Sequence, residues 1–457
     1  MRSSLSTEDS FVRNAAYMIT GSGAGILIQL LAAPIIARIY QNTDVYGLFG
    51  VFSVYTNTLG GMAMLGYNMA FVLPSDERGF IRVLKLSIWI AALWCLLVSL
   101  VFIVGGQPLG SVLQMDGLGI WLYMIGPVAF LVAIDRILND WSVRQRQFRQ
   151  ATIYGTTNMF ANKGFNIVYG KYVSNHVDGL LWTHLLNYVL NPFLSAVFVV
   201  KNFRKTLLTK VSAAELKATA IEYVHYPRFF FWGSSVQVLS ASLPSVLLPV
   251  LGYGLGAAAL FNWAIMVLEL PLRMMGSGVS SVFLNKSAEI VRQRPEELAH
   301  HSRKLFKAML VLTSVSMSIL YVLGEPLFAF MLGNTWREAG TIASILSLYY
   351  FFRLLSVPLS VLFGVLRRER EFFYYHMLIF GVRILSLVAG AAYTDDLFAL
   401  MTWFSIANAA VYVVFTLRVL VLSGIAFRSA LSMLMVWTTG TFAVCALLKW
   451  MIFSTWF

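Results

Sequence analysis

Two oppositely charged residues interrupt an otherwise apolar stretch in the middle of the sequence. The segment 256–284 is long enough to cross a bilayer, and Glu269 and Arg273 are its only charged residues. Residues four apart share one face of a helix, so the two charges can neutralise each other. A charge at the bilayer centre costs roughly 2.5–3.5 kcal/mol, so both groups need partners or water. The pair is either a link between helices or part of a polar path through the membrane.

Three further cations lie inside predicted membrane spans. Arg353 and Arg383 each interrupt an apolar run, and Lys163 lies on a segment where asparagines recur every fourth residue, at Asn158 and Asn162. That recurrence places the amides on one helix face. Guanidinium groups suit phosphate or carboxylate because their donors form a planar fork. We therefore predict a cationic cavity for an anion, with these residues and the arginine above as candidate substrate-binding groups. Scattered structural charges are the alternative.

The acidic member of the central pair has a separate predicted role. Glu269 is the one carboxylate that the sequence places clearly at mid-depth, whereas Asp135 and Asp140 fall near the predicted inner end of a span. A carboxylate at that depth is suited to exchanging a proton or a sodium ion during transport, and Arg273 one turn away favours its charged form. We predict Glu269 as the ion-coupling residue.

The composition defines the broad class of the protein. Of 457 residues, 58% are hydrophobic and 12% are charged, against about 25% charged in soluble domains, so we predict a multi-pass all-α membrane protein. The formal net charge is +13, and most basic residues fall in alternate loops. This pattern indicates cytoplasmic loops and a cytoplasmic N-terminus rather than nucleic-acid binding. The two cysteines lie in apolar segments, and no metal, cofactor or catalytic motif occurs, so we expect neither cofactor nor enzyme activity.

The predicted spans fall into two groups of six and one extra helix. A basic segment after the sixth span separates the groups, which gives an N-terminal lobe at 1–202, a cytoplasmic linker at 203–226, a C-terminal lobe at 227–424 and an additional span at 425–457. Doubled halves are typical of transporters. The predicted spans lie near 15–37, 45–73, 85–104, 118–138, 151–170, 180–200, 229–251, 256–284, 305–332, 340–366, 373–392, 397–421 and 429–453.

Several short stretches resemble a known transporter family. They are A-R-I-Y-Q-N-T-D-V-Y-G-L-F-G, G-Y-N-M-A-F-V-L-P-S-D-E, L-E-L-P-L-R-M-M-G-S-G-V-S-S-V-F-L-N-K, F-M-L-G-N-T-W-R-E-A-G and R-L-L-S-V-P-L-S, in that order. Together they resemble the polysaccharide-exporter (Wzx-type) flippases of the multidrug/oligosaccharidyl-lipid/polysaccharide (MOP) superfamily. The chain departs from the family in its thirteenth span and in the charges that flank Pro271.

The resemblance implies a two-lobed helical bundle around a central cavity that opens alternately to each face. It also implies ion-coupled movement of an undecaprenyl-pyrophosphate-linked oligosaccharide, of the O-antigen or capsule type, across a bacterial inner membrane. Membrane lipid and glycan polymerase machinery are the other implied partners. A MATE-like antiporter of small molecules or cations is the alternative, although a cavity for cationic drugs would be acidic. An oligosaccharide polymerase or glycosyltransferase would need catalytic groups on a large outer loop, and the predicted outer loops are short.

Overall fold

The structure, a computed structural model, describes residues 23–145 and 148–454, and every regular element in those ranges is helical. The first predicted span and the N-terminus therefore lie partly outside the described residues. The helices are α1 (Gly23–Ile39), α2 (Thr43–Met62), α3 (Glu77–Val112), α4 (Ile125–Arg144), α5 (Phe148–Tyr172), α6 (Val177–Leu208), α7 (Ala213–Glu222), α8 (Phe231–Leu248), α9 (Gly254–Leu268), α10 (Leu270–Gln293), α11 (Leu298–Leu332), α12 (Arg337–Leu359), α13 (Leu362–Val365), α14 (Glu369–Tyr393), α15 (Leu397–Leu422) and α16 (Phe427–Ser454).

Seven helical stretches in the described ranges are long and apolar enough to cross a membrane. An eighth is added if a pair of helices bent by 62°, Asp116–Leu122 and Ile125–Ser142, counts as one span. The prediction of a multi-pass membrane protein is confirmed. The other predicted spans coincide with α1, which has 17 described residues, and with α2, α5 and α6. For example, α5 carries the asparagine stripe, so it is more polar than the seven helical stretches counted above. The side on which each loop lies stays a prediction.

The chain forms two compact units that divide between Ser242 and Leu243, inside α8. The basic segment between α6 and α8 belongs to the first unit, because α7 packs on α3. A capping box starts α7: the Glu215 N–H donates to Ser212 Oγ, and the Ser212 N–H donates to the Glu215 carboxylate. The latter bond, more than the salt bridge to Arg78 of α3, holds the pKa of Glu215 below its usual range. The predicted functional division at 203–226 stays a prediction.

In the first unit, two glycines let α4 approach its neighbours closely. A Cβ at Gly60 of α2 would lie 2.5 Å from the Ala129 carbonyl oxygen, and one at Gly126 of α4 would lie 2.8 Å from the Ser99 nitrogen of α3. Small residues allow such backbone contact between membrane helices. These contacts fix the position of α4, the helix that carries Asp135.

In the second unit, α12 packs against α9, α10, α11 and α15. Its approach to α11 depends on facing glycines, since a Cβ at Gly324 would lie 2.6 Å from the Gly340 carbonyl oxygen. The extra C-terminal helix α16 packs on α11, where Thr441 contacts Ser314 at 3.1 Å between hydroxyl oxygens and Cys445 contacts Ser318 at 3.0 Å.

The single helix expected over 256–284 is instead two helices. α9 ends at Leu268, α10 begins at Leu270, and Glu269 lies between them. Pro271 explains the break because proline lacks the N–H that would bond to the Val267 carbonyl, and its ring crowds that carbonyl. The sequence therefore places Glu269 at a helix junction.

Candidate functional site

The Glu269 carboxylate binds two arginines at the junction of α9 and α10. Arg353 Nη1 of α12 lies 3.1 Å from Glu269 Oε1, and Arg273 Nη2 of α10 lies 3.2 Å from Oε2. The side chains of Glu269 and Arg353 are 20% and 16% exposed, whereas that of Arg273 is 47% exposed. We call these three residues the arginine–glutamate cluster. It has one more positive than negative charge, and its more accessible arginine is Arg273.

Arg353 has a second partner on its own helix. Its Nη1 donates to the Tyr350 hydroxyl at 2.7 Å, and its guanidinium carbon lies 4.9 Å from the centroid of the Tyr350 ring. A hydroxyl acceptor and an aromatic face both stabilise a buried cation. Arg353 is therefore held between Glu269 and Tyr350.

Arg383 of α14 is buried against a tyrosine and an asparagine of neighbouring helices. It is 6% exposed, donates to the Tyr349 hydroxyl, and donates through Nε to Asn408 Oδ1 at 3.3 Å. Its guanidinium carbon lies 5.6 Å from the Tyr349 ring centroid. The Tyr349 and Tyr350 rings are in edge contact at 4.8 Å, so Arg383 and Arg353 contact adjacent residues of α12. The three arginines predicted from the sequence thus lie in one region of the second unit.

The predicted residues of the first unit divide into two sets. Asn158 and Asn162 are buried on the side of α5 that faces α6: Asn158 Nδ2 donates to Asn187 Oδ1 at 3.0 Å, and Asn162 Nδ2 donates to the Thr183 carbonyl at 2.7 Å. Their amide donors therefore join two helices. Lys163 is partly buried and has no carboxylate within 4.0 Å in residues 23–145 and 148–454.

Sequence reasoning missed a second polar cluster in the first unit. Asp135 Oδ1 accepts a hydrogen bond from Asn191 of α6, and Tyr188 of α6 donates to Asn57 Oδ1 of α2 at 2.5 Å. The predicted span 118–138 put Asp135 near a helix end, whereas the bend before Ile125 makes it the eleventh residue of the 20 in α4. The four-residue spacing of Asn187 and Asn191 was the signal that could have revealed this cluster.

No group of three or more His, Cys, Asp or Glu side chains that could hold a metal ion occurs within the described ranges. The Glu269 carboxylate is bound instead by guanidinium donors, and the Asp135 carboxylate by amide donors. The arrangement is suited to binding anions in the second unit and to titrating a carboxyl in the first.

Comparison with known proteins gives a family and a fold. A family model described as "Polysaccharide biosynthesis protein" matches residues 35–341. The inward-facing structure of a multidrug resistance MATE family transporter of the MOP superfamily is similar, with a TM-score of 0.68 at 14% identity, covering 88% of this chain and 96% of that one. The lipid II flippase MurJ, in an inward closed conformation, has a TM-score of 0.67 at 15% identity and covers 97% of this chain and 98% of its own.

A third similar structure is a MOP superfamily transporter from Pyrococcus furiosus Vc1 (DSM3638), reported for the reverse polarity of its binding pocket. Its TM-score is 0.54 at 15% identity, over 91% of this chain and 96% of that one. No curated protein sequence matches the chain. The structural likenesses confirm the predicted two-lobe MOP-like fold, and the family match extends over more than half of the sequence. The chain thus belongs to the polysaccharide biosynthesis protein family and has the helical fold of the MOP superfamily.

Proposed function

We propose that this protein is a lipid-linked oligosaccharide flippase. Its cargo is an undecaprenyl-pyrophosphate-linked repeat unit, of the O-antigen or capsule type, which it moves from the cytoplasmic to the outer leaflet of a bacterial inner membrane. The observation that carries the proposal is the arginine–glutamate cluster in a member of a polysaccharide biosynthesis family. The similarity to a lipid II flippase supports it through the fold.

The chemistry of the cargo matches the charge of the cluster. A lipid-linked glycan carries its negative charge on the pyrophosphate, and its sugars must pass about 30 Å of hydrocarbon while the tail stays in lipid. Guanidinium groups bind such an oxyanion through paired donors. Arg273 is the first contact in this proposal because about half of its side chain is exposed.

Glu269 supplies an internal anion for the arginines when cargo is absent. Without it, Arg353 and Arg273 would be uncompensated charges at a helix junction, which is costly. An arriving pyrophosphate competes with the carboxylate for Arg273, while Arg353 stays bound to Tyr350. Binding is thereby strong enough to capture the cargo and weak enough to release it.

The remaining predicted residues take supporting roles in the proposal. Arg383 adds the positive charge of its guanidinium, which the Tyr349 hydroxyl holds in place. Lys163 is the proposed cation of the first unit, and Asn158 and Asn162 fix the helix that carries it. Contact with the glycan polymerase machinery would follow release of the cargo in the outer leaflet.

A MATE-like antiporter of small molecules or cations is the second candidate, favoured by the likeness to a MATE transporter. Its cargo would meet the same arginines. A cationic drug is repelled by a half-exposed guanidinium, so the cluster favours an anionic cargo.

The experiment is complementation of a host strain that lacks its own flippase for the glycan. Arg353→Ala combined with Arg383→Ala should reduce surface glycan and make the lipid-linked unit accumulate on the cytoplasmic leaflet. The matched control is Arg337→Ala, which removes an exposed arginine paired with Glu325. Normal surface glycan in the double variant, with the protein present in the membrane, would contradict the proposal. Accumulation of an unrelated cation in cells that lack the protein would also contradict it.

A further inference from the structure

The first unit holds a carboxyl in the middle of a helix, and within the described residues this carboxyl forms no ion pair. Asp135 lies at the centre of α4, about 15 Å from each end at 1.5 Å per residue. Its Oδ1 accepts from Asn191 Nδ2 of α6, and its Oδ2 accepts from Asn139 Nδ2 at 3.4 Å. Within the ranges that the structure describes, no lysine, arginine or histidine nitrogen lies within 4.0 Å of either oxygen.

The surrounding charges form no ion pair with Asp135 in the described ranges. Arg136 follows it in sequence and attracts its charge, but the Arg136 guanidinium lies against Gly61 of α2, where a Cβ would be 2.7 Å from Arg136 Nη1. Asp140, further along α4, accepts from Asn68 Nδ2 at 2.9 Å. The titratable groups of α6 on the same side are Tyr188, bound to α2, and His184, whose Nε2 lies 2.9 Å from Thr56 Oγ1.

The amide next to Asp135 has an unused acceptor. Asn191 Oδ1 is buried and has no hydrogen-bond partner, and the same is true of Asn158 Oδ1, whose residue is 6% exposed. A buried polar atom without a partner is costly. An amide that rotates by half a turn exchanges its donor for its acceptor, so Asn191 can serve both forms of the carboxyl. It donates to the charged form, and its oxygen accepts the O–H of the protonated form.

We propose that Asp135 binds and releases the coupling proton of the transport cycle, and that Asn191 turns its amide to match. The proton passes from water to a carboxylate oxygen and back, with no other bond made or broken. The proposal rests on the proposed function, together with the ion coupling that the family resemblance implies. It assigns to Asp135 the role that the sequence predicts for Glu269, and that earlier prediction is the alternative that the test decides. Glu269 is held by two guanidinium groups, which favour its charged form, whereas Asp135 is held by neutral donors.

The test uses dicyclohexylcarbodiimide, a hydrophobic reagent that adds to protonated carboxyl groups and leaves carboxylates unmodified. The full chain in lipid nanodiscs is treated over a range of pH, and the modified peptides are found by mass spectrometry. We expect an adduct at Asp135 whose yield rises as the pH falls, and none at Glu269. Asp135→Asn should abolish that adduct, and Asp140→Asn should leave it. Asn191→Leu removes the amide that bonds the carboxyl, so it should move the pH at which the yield is half-maximal.

Several outcomes would overturn the proposal. These are labelling at Glu269 without labelling at Asp135, a yield at Asp135 that does not change with pH, or protection of Asp135 by sodium chloride but not by potassium chloride at constant pH, which would make sodium the bound ion. The carbodiimide labelling reaction needs neither cargo nor transport. Failure here therefore removes the role of Asp135 and leaves the flippase proposal standing, whereas a normal pH profile in a chain that fails complementation removes the flippase proposal alone.

Discussion

The two units each contain a carboxylate within a helical polar cluster, but their partners differ in kind. Glu269 accepts from two guanidinium groups at 3.1 and 3.2 Å. Asp135 accepts from two side-chain amides. Guanidinium partners stabilise only the charged carboxylate, whereas amides offer both a donor and an acceptor. In our proposal, the partners of a carboxyl, and not its depth along a helix, decide whether it titrates or serves as a fixed counter-ion.

The largest effect should come from removing an arginine partner of Glu269. Arg353→Ala leaves a poorly compensated carboxylate, and removing one partner of a buried pair costs about 3–5 kcal/mol. Thermal unfolding of the protein in detergent measures it. In the double variant Arg353→Ala and Glu269→Ala both charges are gone, so much of the stability should return. A double variant as unstable as the single one would show that the pair is not what stabilises the junction.

Crowding α4 should perturb the packing of the helix that carries Asp135. Gly60→Ala places a methyl group 2.5 Å from the Ala129 carbonyl oxygen, so α4 must shift, at about 1–3 kcal/mol. Gly61→Ala is the matched control because the atoms nearest to its methyl group belong to the end of the Arg136 side chain, which can move. We expect a lower unfolding temperature for Gly60→Ala alone. Equal effects from both variants would contradict the close approach of α2 and α4.

A milder change at Arg273 should separate charge from geometry. Arg273→Lys keeps the positive charge but loses the planar fork, so transport should fall about 3- to 10-fold while Arg273→Ala falls further, about 10- to 100-fold. Initial rates of cargo appearance in the outer leaflet measure both. Lysine and alanine variants with the same rate would mean that the charge of Arg273 does not contact the cargo.

The smallest effect should come from Asp140, which lies on the same helix as Asp135. Asp140→Asn removes a charge but keeps an oxygen that accepts from Asn68 Nδ2. We expect transport and its dependence on the pH gradient to change by less than about twofold, since substitutions away from a key interaction usually cost under 0.5 kcal/mol. If Asp140→Asn lost as much pH dependence as Asp135→Asn, the titrating role could no longer be assigned to Asp135 alone.

Much of the fold and part of the site could be predicted from the sequence. Apolar length and loop charge predict a multi-pass helical protein, and the isolated charges pointed to Glu269, Arg273, Arg353 and Arg383, which the structure places in one region. Pro271 was the signal in the sequence for the break after α9. The bend before α4 depends on local backbone geometry, so the predicted span could not show that Asp135 lies in the middle of that helix. The tyrosine partners of Arg353 and Arg383 could not be predicted because they come from the register between packed helices.

The most direct test of the central claim is a leaflet assay with the purified chain in vesicles. A polyprenyl-pyrophosphate oligosaccharide is placed in both leaflets, and an external glycosidase reports the fraction that it can reach. Our account predicts that the wild-type chain brings nearly the whole pool within reach. Arg273→Ala should slow movement of the pyrophosphate-linked lipid to the outer leaflet about 10- to 100-fold. A neutral polyprenyl glycoside in the inner leaflet should remain there. Equal movement of the neutral and pyrophosphate-linked lipids, or no movement of either by the folded wild-type chain, would contradict it.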